Sequence, residues 1–368
     1  MNLLILVADA LRYDYFRYLD LQLPLVEFDN AFAVSLASEP NFVSLLTGLT
    51  PDEHGVYANG IIDYNGPTLF TEMKGLGYHT ISMLGFYLLY RKGADKNMNV
   101  GCDATAGIHL QGAYDWIDEE PWCAMVRLMD THNPYSVADR QVWKNRGNPN
   151  VNHILLRDKY KAACVYLGQT LNAFLQKILN KYPDTVVVIT ADHGEELLQH
   201  GKQKECLEHH FGLWDTLVHI PLAIYHPDWN EDSTAEIDLR QHDDLYHSLG
   251  HLFGFSDRPK PWKYDVEFAG MGYGEYHDWM FRGVRTKRWK CFKAFRPPLM
   301  MDAWLYDLEK DPTETTNLAD NPPSEAVPLI RRIGAGGWND KAIVAGILAK
   351  RDAMQGDVRR RLEGLGYL

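Results

Sequence analysis

The stretch Val186-Val-Val-Ile-Thr-Ala-Asp192-His193-Gly-Glu-Glu196 is an apolar run that ends abruptly in two good metal ligands. It reads as a buried strand that delivers an aspartate and a histidine to the edge of a sheet. Near the start of the chain, Leu3-Leu-Ile-Leu-Val-Ala-Asp9 repeats that design. Two buried strands, each ending in a carboxylate, are how an open α/β sheet builds a site at its carboxyl edge.

Working outward, Gly77 to Leu84 and Trp122 to Met129 read as further short buried strands, and Tyr160 to Leu179 as a long helix with apolar steps of three and four. Ala10 to Tyr18 reads as a helix, and Val43 to Gly48 as the start of another, which places Ser38 in the loop before it. Alternating strands and helices predict a mostly parallel central sheet. Leu217 to Tyr225 is expected as the last core strand and Asp243 to Phe253 as the closing helix. Between Gly272 and Leu308 short alternating segments predict a small antiparallel sheet, and the basic tail from Lys341 a final helix. The expected organisation is a catalytic α/β domain over 1–260 and a C-terminal α+β subdomain over 261–368.

Composition fits a soluble globular enzyme: 368 residues, 46% hydrophobic and 23% charged. A formal net charge of -12 argues against a grip on long nucleic acid, while leaving room for a small anion in a locally positive pocket. Cys102, Cys123, Cys164, Cys206 and Cys291 are odd in number and scattered, so neither a disulfide framework nor a cysteine zinc site is expected. With no signal peptide or membrane span recognisable, a cytoplasmic setting without membrane contact is expected. Oligomeric state has no signature in the sequence.

Asp9, Asp192 and His193 are hard or borderline ligands that, with one hydroxyl, suit a single divalent cation with a position left for a substrate oxygen. The hydroxyl comes from Ser38-Glu-Pro40-Asn-Phe-Val-Ser44-Leu-Leu-Thr47-Gly48. This segment resembles the nucleophile segment of the sulfatase branch of the alkaline phosphatase superfamily. Matching stretches follow in the family's order: Pro51 to His54-Gly-Val, Gly77-Tyr-His-Thr, Met129-Asp-Thr-His132-Asn-Pro-Tyr, Asp192-His193-Gly-Glu, and Val284 to Lys290 followed by Leu305-Tyr-Asp-Leu. The resemblance implies a sulfatase-like α/β sandwich in which Asp9, Asp192 and His193 hold the metal and Ser38 is both ligand and nucleophile, with Ser35 and Ser44 as neighbouring rivals. It further implies that His132 contacts the transferred group or its leaving oxygen. His210, with His209 as the adjacent alternative, stands where the family has an anion-binding lysine. Asp130 is expected to orient His132 or, with His209, to serve a second metal.

Departures from the pattern are as informative. Ala10 stands where the family has a second aspartate, Phe42 where it has an arginine, and Ser38 where it has an oxidisable cysteine. Leu84-Gly-Phe-Tyr87 replaces a lysine-bearing segment. No formylglycine is therefore expected, and the cationic contacts to a tetrahedral anion are reduced; Arg12 could replace one of them but is expected to pair with Asp14. The reading is a metal-dependent hydrolase of small phosphate (mono- or di-) or sulfate esters, using Mg, Mn, Ca or Zn. Its alternatives are a phosphoryl or phosphoethanolamine-type transferase and a non-catalytic anion-binding protein on a degenerate scaffold.

Overall fold

A computed structural model describes residues 1–60, 64–84, 92–98, 104–133, 135, 153–200, 208–228, 240–256, 263–296, 303–335 and 340–353. The strands of its first half are β1 (Asn2–Ala8), β2 (Val26–Glu27), β3 (Ala31–Phe32), β4 (His79–Met83), β5 (Lys96–Asn97) and β6 (Trp122–Leu128). They are followed by β7 (Thr185–Ala191), β8 (Leu222–Tyr225), β9 (Arg240–Gln241), β10 (Asp265–Met271), β11 (Met280–Thr286), β12 (Trp289–Phe295) and β13 (Ala303–Asp307). Among the described residues, seven strands form a central sheet in the order β2-β8-β7-β1-β6-β4-β5. The pairs from β7 through β1, β6 and β4 to β5 are parallel.

Every residue of β1, β6 and β7 is buried. This explains their near-continuous apolar runs, because a parallel strand in the middle of a layered fold has no solvent face. Ala8 pairs with Ala191 in the β1–β7 register, so Asp9 and Asp192 leave the sheet side by side. Val7 pairs with both Thr190 of β7 and Arg127 of β6. Strand side chains alternate between faces, so Arg127 is launched from the face toward which Asp9 and Asp192 continue.

Several expectations shift in detail. The chain after Asp9 makes a 3-10 helix over Tyr13–Leu19. Helix α1 (Ser38–Thr47) begins at Ser38 itself, with Ala37 as its N-cap, so Ser38 is in the first turn and not in the loop before it. The apolar stretch from Leu217 to Tyr225 is divided between a helical turn, Asp215–Val218, and β8, which runs antiparallel to β7. Pro221 lies between the two pieces, where its missing N–H would break a ladder. Helices His153–Lys181 and His242–Phe253 occupy the expected places.

The small antiparallel sheet is four-stranded, β10-β11-β12-β13, and starts earlier than the alternating pattern suggested, at Asp265. Its Phe268, Phe281 and Phe292 belong to one apolar core with Leu3 to Ala8 of β1. The tail forms the helix Asp340–Ala353; positions 354–368 lie outside the described residues. No described helix is long and apolar enough to cross a membrane. Cys123, Cys164 and Cys291 are buried free thiols, while Cys102 and Cys206 lie outside the described residues.

Candidate active site

Ser38 enters the site because the chain before α1 is held from several sides. Asn41 accepts from the backbone N–H of Val34 (2.8 Å) and Ser35 (3.0 Å) and donates to the carbonyls of Ser35 and Ala37, both at 2.8 Å. The Tyr273 hydroxyl accepts from Ser38 N at 2.9 Å. At the far end of α1, Gly48 is left-handed (φ 69), and a Cβ there would lie 2.5 Å from the Tyr246 ring. Only glycine closes the helix so tightly against its neighbour.

The Ser38 hydroxyl lies 3.2 Å from His193 Nε2 and 3.3 Å from Arg127 Nη2. Its rivals are committed elsewhere: Ser44 to His54 Nε2 at 3.0 Å, and Ser35 to Ala37 N at 3.2 Å. Ser38 therefore sits in the first turn of a helix beside the two strand-end carboxylates, with its Oγ unclaimed by a helix cap.

The residues fit a divalent cation. One ligand atom from each of Asp9, Asp192 and His193 lies within 4.8 Å of the others. Asp192 spends Oδ1 on the backbone N–H of Ala10 (3.1 Å) and of His193 (2.9 Å), whereas its Oδ2 and Asp9 Oδ1 are buried with no hydrogen-bond partner among the described residues. Buried carboxylate oxygens left open in this way call for a cation. His193 Nδ1 is 2.9 Å from the Gly194 carbonyl, so Nδ1 carries the proton and Nε2 turns a lone pair to the pocket. Burial pulls the His193 imidazole below its ordinary value. Burial alone would raise Asp192, but His193, Arg127 and the N–H donors outweigh it and hold that carboxyl below the usual range. Ala10 is left-handed (φ 57), a conformation easier for the aspartate expected there than for alanine.

The histidines form a second layer. His132 Nε2 is 3.9 Å from Asp9 Oδ1, and its Nδ1 lies 2.7 Å from the Asn133 carbonyl. Burial, reinforced by Arg127, pushes His132 down to about 4, so it is neutral at pH 7. His209, more than His210, reaches the centre: its ring centroid lies 4.1 Å from that of His193, tilted by 36°, and 5.2 Å from that of His132 in an edge-on contact. His210 stands further out, with Nε2 3.0 Å from Glu208. Asp130 accepts from Ala106 N at 2.8 Å, capping the helix Ala106–Trp116, and burial lifts it to about 6. Arg12 pairs with Asp14 through two 2.8 Å contacts, as its spacing predicts. Of Leu84-Gly-Phe-Tyr87, positions 85–87 lie outside the described residues.

Three participants escaped the reading of the sequence. Arg127 is fully buried and bonds to Asp9 Oδ2; an arginine inside the otherwise apolar run Trp122 to Met129 was the available signal. Glu195 is fully buried, 3.6 Å from His209 Nδ1, and burial drives its carboxyl well up. Tyr273 comes from the antiparallel sheet region and has no local signature.

The family profile for sulfatases matches residues 2–255. A choline-sulfatase of Rhizobium meliloti (strain 1021) is 24% identical over 285 residues, 62% of this chain and 52% of the relative, so the chain spans about half the length of that curated protein. Among solved structures, a 2-O GAG sulfatase superposes with a TM-score of 0.72 at 18% identity, covering 97% of this chain and 96% of the other. The phosphonate monoester hydrolase of Agrobacterium radiobacter gives 0.66 at 17% identity, with 94% and 95% covered.

Proposed function

Because the chain belongs to the sulfatase family, we propose that it hydrolyses a small sulfate or phosphate ester by in-line attack of Ser38. The observation that carries this reading is the placement of Ser38 Oγ within 3.3 Å of both His193 Nε2 and Arg127 Nη2, beside the open oxygens of Asp9 and Asp192. A cation held by Asp9, Asp192 and His193, with Ser38 as a further ligand, would polarise the transferred group and favour the serine alkoxide. Ser38 Oγ forms the new bond to sulfur or phosphorus as the bond to the ester oxygen breaks. The proton that Ser38 gives up is taken by the histidine group, with His132, neutral at pH 7, or His210 as the proposed carrier and His209 packed between His132 and His193, and is then passed to the departing alkoxide. Water then cleaves the seryl ester and restores the hydroxyl. This reading uses Ser38 as an unmodified hydroxyl and calls on no formylglycine. The choline-sulfatase and phosphonate hydrolase relatives make singly charged esters the first substrates to try.

The test is a panel of aryl sulfate, aryl phosphate, phosphodiester and phosphonate ester, run on chelated protein with Mg, Mn, Ca or Zn restored in turn. The expected result is metal-dependent turnover that falls by about a thousandfold or more in Ser38→Ala. Full activity in that variant would defeat the nucleophile, and full activity after exhaustive chelation would defeat the cation. Turnover raised by added alcohols would favour a transferase, and stoichiometric binding without turnover an anion-binding protein.

A further inference from the structure

Arg127 does something the resemblance does not supply. Its guanidinium is wholly buried, bonds to Asp9 Oδ2, lies 3.3 Å from Ser38 Oγ and 3.9 Å from Asp192 Oδ2, and leaves Nε and Nη1 without a hydrogen-bond partner among the described residues. A purely structural buried ion pair would be expected to spend those donors on carbonyls. The guanidinium carbon also sits 5.7 Å from the centroid of the Phe42 ring, within the range of a cation–π contact. Phe42 occupies the position on α1 at which the resemblance puts an arginine. The charge is thus carried by the neighbouring strand, and the helix position has become the aromatic surface against which it packs.

We propose that Arg127 is a resident cation of this site and a positioning residue for Ser38: a guanidinium moved from helix α1 to strand β6 that shares the Asp9 and Asp192 carboxylates with one divalent ion. The β1–β6 register makes the move feasible, because Arg127 pairs with Val7 and so rises beside Asp9. Holding Asp9 Oδ2 leaves Asp9 Oδ1 and Asp192 Oδ2 for the ion. The loss of a carboxylate at Ala10 acts in the same direction, since it leaves Asp9 and Asp192 as the two carboxylates that the guanidinium and one ion must share. The Ser38 part of the proposal rests on the nucleophilic role given above; the charge-sharing part does not.

Calorimetric titration of chelator-stripped protein with Mn2+ tests the charge sharing directly. Arg127→Met should bind Mn2+ about tenfold tighter or more, because a positive neighbour of the ion is gone. Arg127→Lys should stay near wild type. On whichever panel ester is turned over, Arg127→Met should lower kcat by about a hundredfold with KM changed much less, and adding Phe42→Arg to it should recover about tenfold of that loss. Melting curves with and without Mn2+ show whether each variant folds; if Arg127→Met does not, the Arg127→Lys titration and kcat, with the Phe42→Arg/Arg127→Met pair, decide. Unchanged Mn2+ affinity in Arg127→Met overturns the charge sharing. A double variant no better than the single overturns the relocation. Turnover surviving in Ser38→Ala would overturn the nucleophile alone, leaving the Mn2+ result to stand or fall by itself.

Discussion

Asn41 shows how much one side chain can decide. Its amide satisfies two N–H groups and two carbonyls of the segment that carries Ser38 into α1, and every one of these groups is buried. Removing the amide leaves those backbone groups desolvated and unpaired, at a cost of about 1–3 kcal/mol for each one that finds no other partner. Asn41→Ala is therefore expected to destabilise the protein by about 3 kcal/mol in urea unfolding, and to lower kcat more than KM by loosening Ser38, the proposed nucleophile. A loss under about 0.5 kcal/mol would show that the segment holds itself. Gly194 works in the same way beside the candidate metal ligands: a Cβ there would lie 2.0 Å from the Thr216 carbonyl oxygen, so His193 is followed by the one residue that lets two backbone segments meet.

At the scale of the element, helix α1 is locked to the short helix α2 (Pro51–His54) by a neutral histidine. His54 Nδ1 accepts from Val56 N at 3.0 Å, which puts its proton on Nε2, 3.0 Å from Ser44 Oγ. Burial lowers this imidazole from 6.5 to about 4. A histidine depressed on folding contributes its full stability above pH 6.5 and loses it as the pH falls toward 4, because the unfolded chain takes up the proton first. The loss amounts to about 3 kcal/mol over that interval. The wild-type melting temperature should consequently fall more steeply between those pH values than that of His54→Gln. Parallel curves would remove His54 from the account. The sequence places His54 at the end of a Pro-initiated helical turn, but that its ring faces Ser44 follows from the packing of α1 and α2.

For the whole molecule, the antiparallel sheet is joined to the layer that carries the candidate site by a buried ion cluster. Lys290 of β12, fully buried, reaches Asp215 at 2.6 Å and Glu314 at 3.0 Å, and Arg285 of β11 adds a 3.0 Å contact to Asp215. Asp215 opens the helical turn that follows the histidine pair, so the cluster ties the sheet to the segment bearing His209 and His210. Lys290→Met should cost about 3 kcal/mol or more by leaving Glu314 and part of Asp215 uncompensated in the interior. Replacing the lysine and Glu314 together by apolar residues should restore much of it; equal losses in the single and double variants would show that the cluster does not act as a unit.

What the chain alone determined is local: apolar runs too continuous for any strand but a buried one, and a carboxylate or histidine at their ends. Those patterns are set by near neighbours and survive any global arrangement, so fold class and the group Asp9, Asp192 and His193 could be read directly, while Ser38 came from the resemblance. What only the tertiary structure decided depends on register and on contacts between distant parts of the chain. Arg127 is 118 residues from Asp9, and only the β1–β6 pairing makes them neighbours. Tyr273 meets Ser38 across 235 residues. His209 rather than His210 enters the cluster because consecutive side chains leave a loop in different directions, and only the packed surroundings select the one that faces His193. Burial then tunes the group, lowering His132 and His193 while Arg127 and the N–H donors hold Asp192 charged, and burial is a property of the assembled fold and not of any segment in it.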